Sequence, residues 1–351
     1  MLEEWSKISS EEISKLIDLM PRRLAEFINA VTPLSLNISV DGTKIPKLND
    51  PKILGVALDS LCSFTPHMTA ITFKVQSRNK IFKSLAGSSW RKDKETLLAT
   101  YKAIGRPVIN YASPIWSPGC STTQTRKLQT CQNTALRTIT GCLLMSPIEH
   151  LHSEAPMLPV KEHNELLSEQ FLPECFRRNH PCSRLLEAEP PPRNIKRSFL
   201  DYVDDIRRYA HRTSDATNYR QALTAIHSGA INTFIDSLSV NGVLGVKPPP
   251  IADVELDLSR ETRVTLAQLC SGYCSRLNFY LFRIDPDIPN ICPAYNEAPH
   301  DTNYLFACPT SPAHLTPFSL WSDPVETACF LGLRLDDLDD NQTITYNPSG
   351  D

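Results

Sequence analysis

Cys292-Pro293-Ala294-Tyr295, followed by His300 and Cys308, has the outline of a zinc knuckle. Such sites need four thiolate or imidazole ligands in a tetrahedron and often open with Cys-x-x-Cys. Here Tyr295 occupies the second cysteine position, so Cys292, His300 and Cys308 make at most a three-point metal site. The competing reading is a proline-rich loop that packs without metal. Cys270 and Cys274, four apart on an expected helix, either add ligands or line a buried face. A second candidate is Tyr202-Val203-Asp204-Asp205, whose adjacent carboxylates suit Mg²⁺. Phe199, Val203 and Ile206 are spaced as a helix face, however, and Asp204 pairs with Arg208 at i, i+4, which favours a charged helical surface. His150, His152, His163 and His180 could serve a cysteine nucleophile such as Cys142 or Cys175, but no spacing singles out a pair. Phosphate-binding glycine loops of the P-loop or dinucleotide type are missing.

The fourth candidate is a block of charge. Between Pro66 and Gly141 there are twelve Lys and Arg against two acids, while the rest of the chain carries 24 bases against 37 acids. The net charge of −3 hides this asymmetry, which suggests a polyanionic partner for the block alone. Lys74, Arg78, Lys80, Lys83, Trp90, Arg91, Lys92 and Lys94 supply cations for phosphates and one ring that could stack on a base. The same residues could instead form a solvated hairpin with Trp90 in the core.

The elements that must position these groups are mostly helical. Leu36, Ile38 and Val40 alternate, Asp41-Gly42 is a hairpin turn, Ile45 resumes the pattern, and Ile53–Leu58 reads as a compact strand. Thr65-Pro66 opens a helix with Met68, Ile71, Val75, Phe82 and Leu85 on one face; Lys74 and Arg78 point elsewhere. A second helix, from about Lys92, buries Leu97, Tyr101, Ile104 and Val108, and Pro107 is expected to kink or end it. A third turns Leu128, Cys131, Ala135 and Ile139 inward and is capped by Gly141. The predicted class is α+β, mostly α. The predicted divisions are a helical segment at 1–33, a β piece at 34–65, a helical domain at 66–186, a helical segment at 194–246, a C-terminal region at 251–333 with the Cys/His loop, and a disordered acidic tail at 334–351. Proline runs at 187–193 and 247–250 read as linkers.

Eleven scattered cysteines, an odd number, argue against a disulfide framework and for a reducing intracellular compartment, nucleus or cytoplasm. No apolar run approaches the ~18 residues that cross a bilayer, so no membrane is expected.

Several of these stretches resemble reverse transcriptases of jockey-type non-LTR retrotransposons, in their thumb and post-thumb region. The residues that carry it are Ile53-Leu54-Gly55-Val56-Ala57-Leu58-Asp59 with Thr65-Pro66-His67, then Tyr101-Lys102-Ala103-Ile104, Asn110-Tyr111-Ala112, Pro114-Ile115-Trp116, Leu128-Gln129 with Gln132-Asn133, Ala135–Gly141, His150–Glu154, Met157–Val160 and Leu269–Asn278. The resemblance covers about 34–333. It implies that Gly55 lets backbone approach a primer end and that the helices grip a template–primer duplex through 66–141. The family's knuckle reads Cys-Pro-x-Cys, then His, then Cys-Pro; Cys292 and Cys308-Pro309 match, while Tyr295 and Tyr304 replace ligands, which weighs against zinc. The family uses Mg²⁺, but its carboxylates precede the Gly55 strand, so this chain is expected to lack polymerase activity and to need no cofactor. Residues 2–31, through Trp5-Ser6-Lys7-Ile8 and Met20-Pro21-Arg22-Arg23, resemble the C-terminal end of mariner-superfamily transposases. The alternatives are an inert transposon remnant and a structural protein that associates through exposed apolar surface.

Overall fold

The structure is a computed structural model; it describes residues 39–40, 43–44, 51–59, 61–86, 93–175, 219–247, 253–297, 299–333 and 335. The transposase-like segment 2–31, the Tyr202–Asp205 box, the 187–193 proline run and the acidic tail beyond residue 335 lie outside the described residues. Helix dominates, with two small antiparallel hairpins, as the α+β, mostly α reading predicts. β1 (Ser39–Val40) pairs with β2 (Thr43–Lys44) around a two-residue connection, as the Asp41-Gly42 signal requires.

The second hairpin corrects the sequence reading. Ile53–Leu58 is not one strand: β3 (Lys52–Ile53) turns back on β4 (Val56–Ala57). Leu54 and Gly55 both take positive φ, +46° and +83°, the conformation a two-residue hairpin turn demands. Gly55 supplies the second of these without strain.

The chain divides into two compact units whose segments interleave along the sequence. The first draws on 1–74, 108–128 and 160–226. It holds both hairpins and the start of α1 (Thr65–Leu85), then α4 (Ser113–Trp116), the start of α5 (Thr122–Thr140) and α7 (Val160–Cys175). Its buried residues include Val56, Phe64, Met68, Ile71, Ile109 and Trp116. The Trp116 indole N–H donates to the Tyr111 carbonyl at 2.8 Å, and its ring meets His67 edge-on at 5.8 Å. Asp59 fixes the entry to α1, its carboxylate accepting from the Phe64 N–H at 2.7 Å and the Ser63 hydroxyl at 2.6 Å. Burial pushes this carboxyl up, and those hydrogen bonds outweigh it, so it titrates below its usual value.

The second unit draws on 75–107, 129–159 and 227–351. It thus contains residues from both sides of the expected Lys247–Pro250 linker. One core gathers Phe82, Leu97, Tyr101, Leu136, Ile139, Leu151 and Ala267; another gathers Leu244, Leu266, Cys270, Phe306, Leu320 and Trp321. α2 (Lys94–Thr100) does not continue regularly: a π-helical turn, Tyr101–Gly105, leads into α3 (Arg106–Asn110). The Arg106 N–H bonds to the Tyr101 carbonyl five residues back. This wider turn falls where Pro107 has no N–H to give, so the helix passes through the proline instead of ending there. Gly105 is required here, since a Cβ would lie 2.5 Å from the Tyr101 ring.

α5 is capped as its sequence predicts. Gly141 has φ +76° and its N–H returns to the Arg137 carbonyl at 2.8 Å. Arg260, opening α9 (Arg260–Cys270), donates to the Thr138 and Ile139 carbonyls at 3.1 Å each, and Gln268 donates to the Gly141 carbonyl at 2.9 Å. A Cβ on Gly141 would sit 2.4 Å from a Val264 methyl. Gly141→Ala is therefore expected to cost about 3 kcal/mol, from left-handed backbone strain of roughly 1–2 and overpacking of roughly 1–3. Urea unfolding measures it. Adding Val264→Ala should recover the steric part only, and a loss below about 1 kcal/mol would mean that the cap relaxes freely.

Candidate nucleic-acid interface

α1 presents the expected face. Met68, Ile71, Val75 and Phe82 are buried, while Lys74, Arg78, Lys80 and Lys83 are all exposed. Among the described residues none of these four cations forms an ion pair within the chain. Trp90, Arg91 and Lys92, expected to extend this face, lie outside the described residues.

Lys94 does not belong to it. Its side chain is buried, and its ammonium lies 2.7 Å from Glu154 and 2.8 Å from Glu255. Arg263 continues the chain of charges, meeting Glu255 through Nε at 3.0 Å and Glu95 through both terminal nitrogens at 2.5 and 2.7 Å. Burial alone would push the Lys94 ammonium down; Glu154 and Glu255 overcome it and hold it charged above the usual lysine value. Its charge is fully used inside the protein, so no phosphate can claim it. The sequence could not show this, because the two glutamates lie 60 and 161 residues away.

Gly55 is exposed at its hairpin turn. The Tyr111 hydroxyl donates to the adjacent Leu54 carbonyl at 2.7 Å and steadies the turn. In the same unit, Ser63, Thr65, Pro118, Gly119, Cys120, Ser121 and Gln124 line a surface depression, where the Gln124 amide donates to the Thr65 hydroxyl at 2.6 Å.

The knuckle residues converge only in part. Cys292 and Cys308 are both buried, and the Cys308 thiol lies 3.1 Å from the Thr310 hydroxyl. The Cys292 loop closes through the Asn296 N–H to the Cys292 carbonyl at 2.8 Å, with Asn296 in left-handed conformation. His300 does not join them as a ligand. Its Nδ1 accepts from the Asn278 N–H at 3.1 Å and its carbonyl from the Phe279 N–H, which secures the start of α10 (Asn278–Ile284). Among the described residues no three His, Cys, Asp or Glu are grouped to hold a metal ion. Cys270 and Cys274 do not share a helix face either. α9 ends at Cys270, the chain turns at Gly272 (φ +76°), and both thiols are buried in apolar core.

The His and Cys candidates for nucleophilic chemistry are interior groups. Burial pushes the Cys142 thiol up to about 12, with Glu154 adding to the effect. His150 donates from Nε2 to the Ala267 carbonyl at 2.9 Å. His152 donates from Nδ1 to the Met157 carbonyl at 2.7 Å, while its Nε2 lies 3.1 Å from the Gln129 amide nitrogen. Burial pushes the His152 imidazole down to about 4. Cys175 and His180 side chains lie outside the described residues. Among the described residues no helix is long and apolar enough to cross a membrane.

Of the quoted signature residues, Gln132 and Asn133 prove to be interior polar groups and Gln129 is half-buried. Gln132 and Arg106 both donate to the Leu158 carbonyl, at 2.9 and 3.3 Å, and Arg106 also reaches the Gln132 side-chain oxygen. Gln129 donates to Asn133 at 2.7 Å. Arg106 and Gln132 are the groups that sequence reasoning missed as a unit; their 26-residue separation hides the contact.

No family model matches this sequence, and no solved structure matches it. Two proteins of Drosophila melanogaster do show similarity. One is a probable RNA-directed DNA polymerase from transposon X-element, 26% identical over 160 residues, 46% of this chain and 18% of that protein. The other is a probable RNA-directed DNA polymerase from transposon BS, 25% identical over 174 residues, 49% of this chain and 19% of that protein. The chain thus spans less than a fifth of either relative, and over nearly half of its own length it is similar to RNA-directed DNA polymerases from transposons.

Proposed function

We propose that this chain is a thumb-like portion of a jockey-type non-LTR retrotransposon reverse transcriptase that grips nucleic-acid duplex and performs no nucleotidyl transfer by itself. The observation that carries the binding role is that Lys74, Arg78, Lys80 and Lys83 of α1 are all exposed and form no ion pair among the described residues. The similarity to transposon polymerases supports the class of protein. Exposed cations along one helix neutralise phosphates and release counterions, so duplex binding should weaken steeply with salt. Replacing the four residues by glutamine is expected to lower the slope of log K against log salt by at most about 3.6, at roughly 0.9 per phosphate contact. Fluorescence anisotropy with an RNA–DNA duplex measures this; an unchanged slope would remove α1 from the interface. In the same preparation, primer extension with Mg²⁺ should not exceed a no-protein control.

A second reading rests on apolar exposure. Leu54, Leu61 and Phe73 are 74%, 71% and 73% exposed, which suits a surface that another chain covers. A clean monomer in light scattering counts against it. Absence of both binding modes leaves the reading of an inert transposon remnant.

A further inference from the structure

Three of the exposed cations of α1, Arg78, Lys80 and Lys83, belong to the second unit and crowd into residues 78–83. Among the described residues none of them has an acidic partner. The other exposed cations described in that unit are engaged or single. Arg276 faces Glu261 at 3.6 Å, Lys247 donates to the Asp236 carbonyl, and Arg283 lies 4.8 Å from the centre of the Phe279 ring. Lys102 is a lone exposed charge in its segment. Among the described residues of the second unit, α1 therefore carries the densest exposed positive charge.

The opposite charge leads out of the same unit. Asp336, Asp337, Asp339 and Asp340 crowd into residues 336–340, and 336–351 holds five acids and no base. The position just before them is fixed: the Leu335 carbonyl accepts from the Ser259 N–H at 2.8 Å. Ser259 caps α9, whose Ala267 shares one core with Phe82 of α1 and Ile139 of α5. Packed helices lie about 8–10 Å apart, and five extended residues span about 17 Å. The four aspartates thus have the reach to meet α1. Asp257 and Glu261, both exposed, flank Ser259 and disfavour a second acidic run beside them.

We propose that the acidic run Asp336–Asp340 docks on Arg78, Lys80 and Lys83 and competes there with a nucleic-acid backbone, so that the chain covers its own polyanion site. This rests on the reading of α1 as that site. One exposed ion pair contributes little. Four acids tethered to the unit that carries three cations act together, at an effective concentration in the millimolar range. A polyanion must displace them. Cations already matched by aspartates hold fewer counterions to release, so the acidic run lowers both the affinity for duplex and its salt dependence.

The test keeps the full chain and replaces Asp336, Asp337, Asp339 and Asp340 together by asparagine. RNA–DNA duplex binding is followed by fluorescence anisotropy across a salt series. The expected result is several-fold tighter binding at low salt. The slope of log K against log salt should steepen by at most about 2.7, at roughly 0.9 for each of three cations freed. Loss of negative charge anywhere would also tighten binding, so the same substitutions are made together with Arg78→Gln, Lys80→Gln and Lys83→Gln. In that background they should change nothing. An equal gain in both backgrounds overturns the proposal, as does an unchanged affinity and slope in a chain that binds duplex through α1. If no variant binds duplex, the reading of α1 as a nucleic-acid site fails, and docking is measured without nucleic acid. Carbodiimide coupling joins carboxylates to amines in contact, so it should link the aspartates to Lys80 or Lys83 at low salt and lose the link at high salt. Coupling to neither lysine overturns the proposal.

Discussion

Lys94→Met is expected to destabilise the second unit by about 3–5 kcal/mol, the scale seen when one partner of a buried ion pair is removed. Methionine fills nearly the same volume, so the effect comes from charge and not from a cavity. It leaves Glu154, 3% exposed, with no cation on it, and leaves Glu255 only Arg263. Glu154 is pushed up by burial, and Lys94, His150 and Arg263 together outweigh this and hold it below its usual value. Urea unfolding at neutral pH should show the midpoint fall with little change of slope. Adding Glu154→Gln to Lys94→Met should recover a large part of the loss, because the orphaned charge is then gone. A cost below about 1 kcal/mol would mean that water reaches these groups and that the pair behaves as a surface salt bridge.

Acid should destabilise the fold well before its carboxylates protonate. His152 holds one neutral tautomer: Nδ1 carries the proton that the Met157 carbonyl accepts, so Nε2 is left as acceptor for the Gln129 amide. A proton on Nε2 would set donor against donor in a buried site. With the imidazole pushed down by burial from 6.5 to about 4, the unfolded chain takes its proton first as pH falls. Stability is therefore full above pH 6.5 and is lost as pH falls towards about 4. At 1.36 kcal/mol per unit, His152 alone accounts for about 3 kcal/mol. His150 and His67, also pushed down by burial, add loss in the same direction. Glu154 and Glu95, held below their usual value of 4.5, lose their contribution only under more acid conditions. The check is a set of urea midpoints from pH 8 to pH 4. His152→Asn keeps a donor for the Met157 carbonyl and should flatten the profile. A wild-type profile that is level across that range would show that His152 is solvated.

Helix spacing and caps were legible in the sequence because they depend on neighbours three and four residues away. The stripe of α1, the stripe of α5 and the Gly141 cap all follow from such local rules, and the structure has them. Ile53–Leu58 failed because a Leu-Gly pair inside an apolar run reads as strand, and only pairing with Lys52 reveals the turn. Of the kink or end expected at Pro107, the end does not occur: a π-helical turn precedes the proline and α3 runs through it.

The charges divide in the same way. Which residues are basic, and that they crowd between Pro66 and Gly141, is a property of the chain alone. Which of them face water is not. Lys74, Arg78, Lys80 and Lys83 remain outside, Lys94 is drawn in by glutamates from distant segments, and Arg106 is drawn in against the Gln132 side chain and the Leu158 carbonyl, with no carboxylate on it among the described residues. The physical reason is the long range of burial: desolvation and pairing are decided by whatever part of the chain packs on a residue, and the sequence around that residue does not contain that information.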